Sequence, residues 1–421
     1  MVSFRASAPP RLPSLTDRAP LQVSTYLWHI LLFLPAAVLA CDGSIIDPDA
    51  YYTRNGLTWT EGALRMNEIQ VVGTHNSYHV EADPAEQSFM ARFTNDAINF
   101  RYSHSALDVQ LEYNRVRSME LDILADPDGG NYAKPLIRRL VGLPFPSDPT
   151  YATNSTKVLH VPDLDVGGVC ASVVQCLRIV KRWLDAHPRA VPVPILLELK
   201  TAESVGRMIG GANVIAWNDT ALLDWLDAEI RSVFPREQMV LPDDLRRHDL
   251  PTLEAAVLQR GWPDLDAARG RVFFVMDNGP VHPVRTAYID GRPNLEGRVI
   301  FTNAAPGDPD CAFQKHNDPT TDDAVADIQK QVAAGYWVRT RADVPLDTVL
   351  RDKCDTARRD AALRSGAQIV STDFPAYGPS ARWGCDYAVR MPGGRPARCN
   401  PVNGPRWCDE ALLEPGEYSR N

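Results

Sequence analysis

The sequence predicts an α/β fold, a (β/α)8 barrel with a disulfide-stapled C-terminal extension, and three observations carry that prediction. Eight short runs rich in β-branched and apolar residues punctuate the chain, helical patterns separate several of them, and a Pro-, Gly- and Cys-rich stretch follows the last. Strand and helix alternating to a count of eight is the pattern of a parallel barrel. A length of 421 residues also fits two or three ordinary domains, so the count and not the length decides.

The eight runs are 69–72, 116–123, 157–160, 194–199, 271–276, 299–302, 336–339 and 368–371. Several are almost uninterrupted apolar sequence, as strands buried on both faces require. Between them, Val173, Leu177, Val180 and Leu184 recur at helical spacing until His187-Pro188 stops the pattern. Leu222, Leu223, Leu226, Ile230 and Val233 form a second stripe behind an Asp219 cap. Val325, Ile328 and Val332 form a third that ends at Gly335, and 355–365 ends at Gly366 in the same way. Residues 126–156 are rich in Pro, Gly and Asn and read as a long loop. If one run, above all 157–160, is not a strand, a doubly wound sheet becomes the competing arrangement.

Hydrophobic residues at 44% and charged residues at 23% are ordinary globular usage, which excludes wholesale disorder and a polytopic membrane protein. The net charge is −9, and the first 40 residues are basic, so an acidic body follows. That balance speaks against nucleic-acid binding and against adsorption to an anionic membrane by charge alone. Tyr26 to Ala40 is an apolar run of 15 residues behind Arg5, Arg11 and Arg18. It is shorter than the roughly 18 residues of a membrane-spanning helix and is interrupted by Pro35, so 1–40 is expected to be a signal peptide. Cys41 offers the alternative of a bacterial lipid anchor, although Leu39 fits that signal poorly. The eight cysteines lack a zinc-type Cys-x-x-Cys pair and suit disulfides in an oxidising, extracellular compartment. Cys170 with Cys176, and pairs among Cys385, Cys399 and Cys408, are close enough to staple loops, with connectivity open. Asn154-Ser-Thr and Asn218-Asp-Thr are glycosylation acceptors in a eukaryotic host. The expected division is a signal peptide at 1–40, the barrel at 41–378 and a Cys-rich extension at 379–421 packed on it.

In a barrel the reactive groups gather where strands end and their loops begin. The first run ends in Gly73-Thr74-His75-Asn76-Ser77-Tyr78-His79, the second in Met119-Glu120-Leu121-Asp122, the third in Val158-Leu159-His160 and the fourth in Leu197-Glu198-Leu199-Lys200. Side chains two apart on a strand share a face, so Glu120, Asp122 and Glu198 would converge with the Asn76 carbonyl in one mouth. Carboxylates that close share protons or hold a hard divalent cation, and an all-oxygen set favours Ca²⁺ or Mg²⁺. His75 and His160 flank the cluster and suit acid/base work. Singly, each of these residues is more often a solvated strand edge, a packing histidine or an ion pair, as Lys200 with Glu198 would be. Four strand ends in succession tip the balance, because buried charge is costly unless paired or metal-bound.

These segments, with Phe274-Val275-Met276-Asp277-Asn278, Trp337-Val338-Arg339-Thr340-Arg341 and Ser371-Thr372-Asp373-Phe374-Pro375, resemble the calcium-dependent phosphoinositide-specific phospholipases C, in particular their extracellular single-domain branch. The resemblance spans about 68–377 in the family's order. It implies a distorted TIM barrel, Ca²⁺ held by Asn76, Glu120, Asp122 and Glu198, and a phosphate flanked by His75 and His160. It also implies attack of the inositol 2-hydroxyl, with Glu120 the preferred proton acceptor, and release of diacylglycerol and a cyclic inositol phosphate. Lys200 is the candidate phosphate contact. Arg339, Arg341, Asp277 and Asp373 would bind the headgroup or form salt bridges across the mouth, and Trp337 is expected in the core. The expected partner is an inositol lipid at a membrane surface, with no nucleic acid and no obligate protein partner. Two other functions fit less well: a glycerophosphodiester hydrolase, whose opening His-Arg-Gly is absent here, and a secreted binding protein without turnover.

Overall fold

The structure, a computed structural model, describes Val38–Leu39, Ile45–Ile46, 55–202 and 206–414. Contacts divide the chain into 1–47 and 48–421. The first unit contributes the antiparallel pair Val38–Leu39 and Ile45–Ile46. The rest of the predicted signal segment, Cys41 and residues 415–421 lie outside the described residues.

Eight parallel strands form the body of the second unit: β1 (Ile69–Thr74), β2 (Met119–Leu124), β3 (Val193–Leu199), β4 (Val272–Met276), β5 (Ile300–Phe301), β6 (Phe313–Lys315), β7 (Trp337–Arg341) and β8 (Ile369–Thr372). They pair as two runs, β2-β3-β4-β5 and β6-β7-β8-β1. Two single bridges join the runs into a ring, Gly73 with Ser118 and Asn303 with Phe313. At the first seam Arg117 N donates to Val72 O at 2.9 Å and Thr74 N to Ser118 O at 3.1 Å; at the second Ala304 N donates to Phe313 O at 3.2 Å. Pairing therefore continues around the ring, through single bridges at two thin seams.

The count of eight is right, but one member is corrected. Lys157–Val158 pairs antiparallel with β2 and stands outside the ring, so the third place belongs to β3, and the member missed from sequence is β6, between β5 and β7. The physical reason is length and company. Three residues, Phe-Gln-Lys, carry no alternation long enough to mark a strand, whereas buried Lys157 and Val158 mimic one.

The helices fall where their patterns put them. α1 (Val173–Ala186) starts at Ser172, whose side chain accepts from Gln175 N, and stops at His187. α2 (Thr220–Val233) is capped by Asp219. α3 (Asp322–Ala334) ends on Gly335 at φ 107, a left-handed turn open to glycine, and α4 (Ala357–Arg364) precedes β8. The stretch read as plain loop contains a short helix, Leu136–Val141, and a 3₁₀ turn, Pro149–Ala152. Asp163 explains the first, since its carboxylate accepts from Leu136 N at 2.9 Å, a tertiary cap invisible in local sequence.

The barrel base is filled by Trp262, Phe273, Phe301 and Trp337, whose rings lie 4.7 to 6.2 Å apart. Strand Ala397–Cys399 runs antiparallel along the lower half of β1, below the point where β2 takes over that edge. Disulfides join Cys170–Cys176, Cys354–Cys385 and Cys399–Cys408, so the second reaches from the loop after β7 into the extension; Cys311 is a buried free thiol. No helix among the described residues is long and apolar enough to cross a membrane.

Candidate active site

Register does the first part of the assembly. In the β2–β3 pairing Glu120 stands beside Leu196 and Asp122 directly beside Glu198, so the two-residue period brings three carboxylates to one face at one end of the barrel. Ligand oxygens of Glu120, Asp122 and Glu198 all lie within 4.8 Å of one another. Asn76 follows β1 with φ 45, and the neighbouring Ser77 N donates to Glu120 O at 2.9 Å, which ties this loop to β2. The buried Asn76 amide has no hydrogen-bond partner among the described residues, and neither has Asp122 Oδ1.

The chain's own cations surround the acids. Arg339 crosses the barrel from β7 and places Nη2 2.6 Å from Glu120 Oε2. Lys200 Nζ lies 3.0 Å from Asp122 Oδ2 and 3.1 Å from Glu198 Oε1, and Lys315 pairs with Asp277. Burial pushes the Glu120 carboxyl up to about 8, with Asp277 and Asp122 adding to the rise against the opposing Arg339. Burial and Asp122 push Glu198 up to about 7. Asp277 goes the other way, because Lys315 and Arg339 outweigh its burial. Glu120 and Glu198 therefore hold protons near neutrality unless a further cation arrives. Unpartnered buried oxygens on Asn76 and Asp122 beside that set fit a hard oxygen-seeking ion such as Ca²⁺.

Two imidazoles flank the cluster, each held by a buried aspartate. His75 Nδ1 is 3.0 Å from Asp373 Oδ1, and its Nε2 is 3.8 Å from Glu120 Oε1. Burial, reinforced by Arg341, lowers His75 to about 4 despite Asp373. Arg341 Nη2 reaches Asp373 Oδ2 at 3.2 Å, and His104 donates from Nε2 to the His75 carbonyl at 2.8 Å. Asp343 accepts from Asp373 N at 2.9 Å and so fixes that aspartate from behind. On the other flank His160 Nδ1 is 2.7 Å from Asp165 Oδ2.

These contacts bring His75, Glu120, Asp122, Glu198, Lys200, Arg339, Arg341, Asp277 and Asp373 together, with Asn76 tied in through Ser77 N and His160 following Leu159, whose N donates to Asp122 O at 3.3 Å. Lys200, Arg339, Arg341, Asp277 and Asp373 are all engaged in the ion pairs just described, the arrangement weighed against direct headgroup contact. Trp337 is core. Four contributors escaped sequence reading: His79, His104, Asp165 and Asp343. His79 closes the His-Asn-Ser-Tyr-His run and so carried a local signal; the other three carried none.

A model of the family described as phosphoinositide phospholipase C, Ca²⁺-dependent, matches residues 64–401. The chain belongs to this family. Its activity is accordingly that of a Ca²⁺-dependent phosphodiesterase acting on phosphoinositides. No curated protein sequence matches it. Among solved structures it is similar to a calcium-dependent phosphoinositol-specific phospholipase C from Pseudomonas sp., at 16% identity and a TM-score of 0.46 over 82% of this chain and 99% of that one. A Ca²⁺-dependent phosphatidylinositol-specific phospholipase C from Streptomyces antibioticus gives 17% and 0.45 over 74% and 96%. A glycerophosphoryl diester phosphodiesterase from Parabacteroides distasonis gives 12% and 0.27 over 80% and 91%.

Proposed function

We propose that this phospholipase C is secreted and cleaves phosphatidylinositol-type lipids by intramolecular attack of the inositol 2-hydroxyl, releasing diacylglycerol and a cyclic inositol phosphate. The observation that carries the reading is the convergence of three carboxylates and two aspartate-held imidazoles at one end of the barrel. Asn76, Glu120, Asp122 and Glu198 would hold calcium, which when bound would supply charge to neutralise the phosphate and lower the pKa of the attacking hydroxyl. Glu120 accepts that proton as the hydroxyl oxygen bonds to phosphorus, an attack favoured because the group is already adjacent. His75, oriented by Asp373, faces the phosphate and would stabilise the phosphorane oxygen once its Nε2 takes up a proton. His160 delivers a proton to the glycerol oxygen as the phosphorus–oxygen bond breaks. Arg341, beside His75 and paired with Asp373, and Lys200 are the side chains placed to meet the headgroup or its phosphate once their present partners release them, with Arg339, Asp277 and Asp373 shaping the same mouth.

Secretion is supported by the apolar run Tyr26 to Ala40 and by three disulfides. We assign 41–378 to the catalytic barrel and 379–421 to the extension, with an inositol lipid at a membrane surface as partner.

Phosphorus NMR of products from phosphatidylinositol tests the chemistry. Turnover to a cyclic phosphate is expected with calcium, with near-complete loss in chelator and in Glu120→Gln. Undiminished turnover in chelator removes the metal from the reaction, an active Glu120→Gln removes that residue, and glycerol phosphate as product points to the rival hydrolase.

A further inference from the structure

We propose that Asp165 and His79 are positioning residues for His160: the buried carboxylate, clamped by His79, pins the His160 Nδ1–H, so that Nε2 is the nitrogen that takes up a proton from solvent, forming the imidazolium, and passes it to the leaving oxygen. This rests on the assignment of His160 as the acid.

The chain reverses as soon as it leaves His160. Val161 N donates to Asp165 O at 3.0 Å and Asp165 N to Val161 O at 2.9 Å, around Asp163 at φ 69. That turn returns Asp165 Oδ2 to within 2.7 Å of His160 Nδ1. The same oxygen is 2.8 Å from Nε2 of His79, which arrives from the loop after β1. His79 is fixed at its other end too, since its Nδ1 lies 3.0 Å from the Tyr102 carbonyl and its ring stacks on Tyr102 at 4.4 Å. A carbonyl only accepts, so His79 Nδ1 carries a hydrogen, and Nε2 donates to Asp165. Both side chains are fully buried, which shields these bonds from solvent. Loop 76–80 is itself pinned, with Val169 N donating to Tyr78 O at 2.8 Å and Val80 N to Gly167 O at 3.2 Å.

The consequence follows from imidazole chemistry. An ionised carboxylate at Nδ1 is satisfied only by Nδ1–H, so His160 is left with Nε2 as its exchangeable nitrogen. An alkoxide is a poor leaving group and needs that proton as the bond breaks, whereas a nitrophenolate leaves without one.

The test compares Asp165→Asn and His79→Gln on phosphatidylinositol and on the 4-nitrophenyl ester of inositol 1-phosphate, both with calcium. On the lipid, kcat is expected to fall about 10²-fold in Asp165→Asn and somewhat less in His79→Gln, whose amide can still donate, with KM little changed. On the nitrophenyl ester the loss is expected to be at least about tenfold smaller, since no proton is required. Nitrogen-15 NMR, run across pH, should find the neutral ring of His160 as the Nδ1–H tautomer in the native protein, with Nε2 the nitrogen that gains the proton, and as a mixture in Asp165→Asn. Equal losses on both substrates, no loss on the lipid, or an Nε2–H tautomer in the native protein would overturn the proposal. Native protein inert on both substrates would instead reject the function proposed above, while the tautomer still decides the pinning. If His79→Gln does not fold, Asp165→Asn and the native tautomer carry the test.

Discussion

Lys200 shows how one side chain can be read two ways until its neighbours are known. From sequence it is a cation near a phosphate; in the structure its ammonium lies between Asp122 and Glu198, two of the four calcium ligands assigned here. Those two acids outweigh its burial and raise its proton affinity, so it stays charged. A tethered cation in that position competes with calcium. Lys200→Met is therefore expected to bind calcium about tenfold more tightly by calorimetry and, without metal, to melt at a lower temperature, because the acids lose their counter-charge. An unchanged calcium affinity together with a raised KM would leave Lys200 with its phosphate contact alone and reject the competition.

Among the elements, the seams of the barrel are the sensitive places. β1 and β2 meet through a single bridge at Gly73 and Ser118, and the glycine is there because a Cβ would come 2.8 Å from Ser118 Cβ and 3.1 Å from Ile369 Cγ2. Gly73→Ala must push β1 away from β2 or β8, and is expected to cost about 1 to 3 kcal/mol by urea denaturation. A midpoint equal to that of the native protein would mean the seam yields freely. The same seam carries His75 and Asn76 on one side and Glu120 on the other, so the variant should also weaken calcium binding. The strand that sequence misplaced belongs to the other seam. β6 is short because it needs only to bridge β5 and β7, and a three-residue strand leaves no periodic signature.

The whole molecule responds to acid through the buried pair beside His160. Burial alone would raise Asp165, but His79 and His160 outweigh it and hold the carboxyl at about 2. In the unfolded chain the same group titrates near 3.9, so between these values the unfolded state binds more protons. The stability Asp165 contributes is thus fully present above about pH 4 and is lost as pH falls toward 2. Asp165→Asn should flatten that part of the stability-versus-pH curve, measured by chemical denaturation; an unaltered slope would contradict the assigned carboxylate state. His79, raised by Asp165 against its burial, contributes with the opposite sign, its share fading as pH climbs through its folded value.

Much of this was legible in the linear chain because it depends on local periodicity. Seven of the eight barrel strands, the four principal helices and the acids and histidines at the strand ends are written in runs of two- and 3.6-residue repeat, which a strand or helix translates directly into a shared face. What sequence could not hold is whatever depends on distance across the ring. Arg339 meets Glu120 only because β7 faces β2 over the barrel, Asp343 fixes Asp373 from a neighbouring strand end, and Asp165 reaches His79 through a turn and a loop. The disulfide partner of Cys385 proved to be Cys354, before the extension and not within it. Sequence by itself determined the residue types and the face each would share; closure of the barrel decided their partners, because a hydrogen bond or ion pair in a buried mouth is set by three-dimensional separation to within an ångström, and chain order constrains that separation only along one strand.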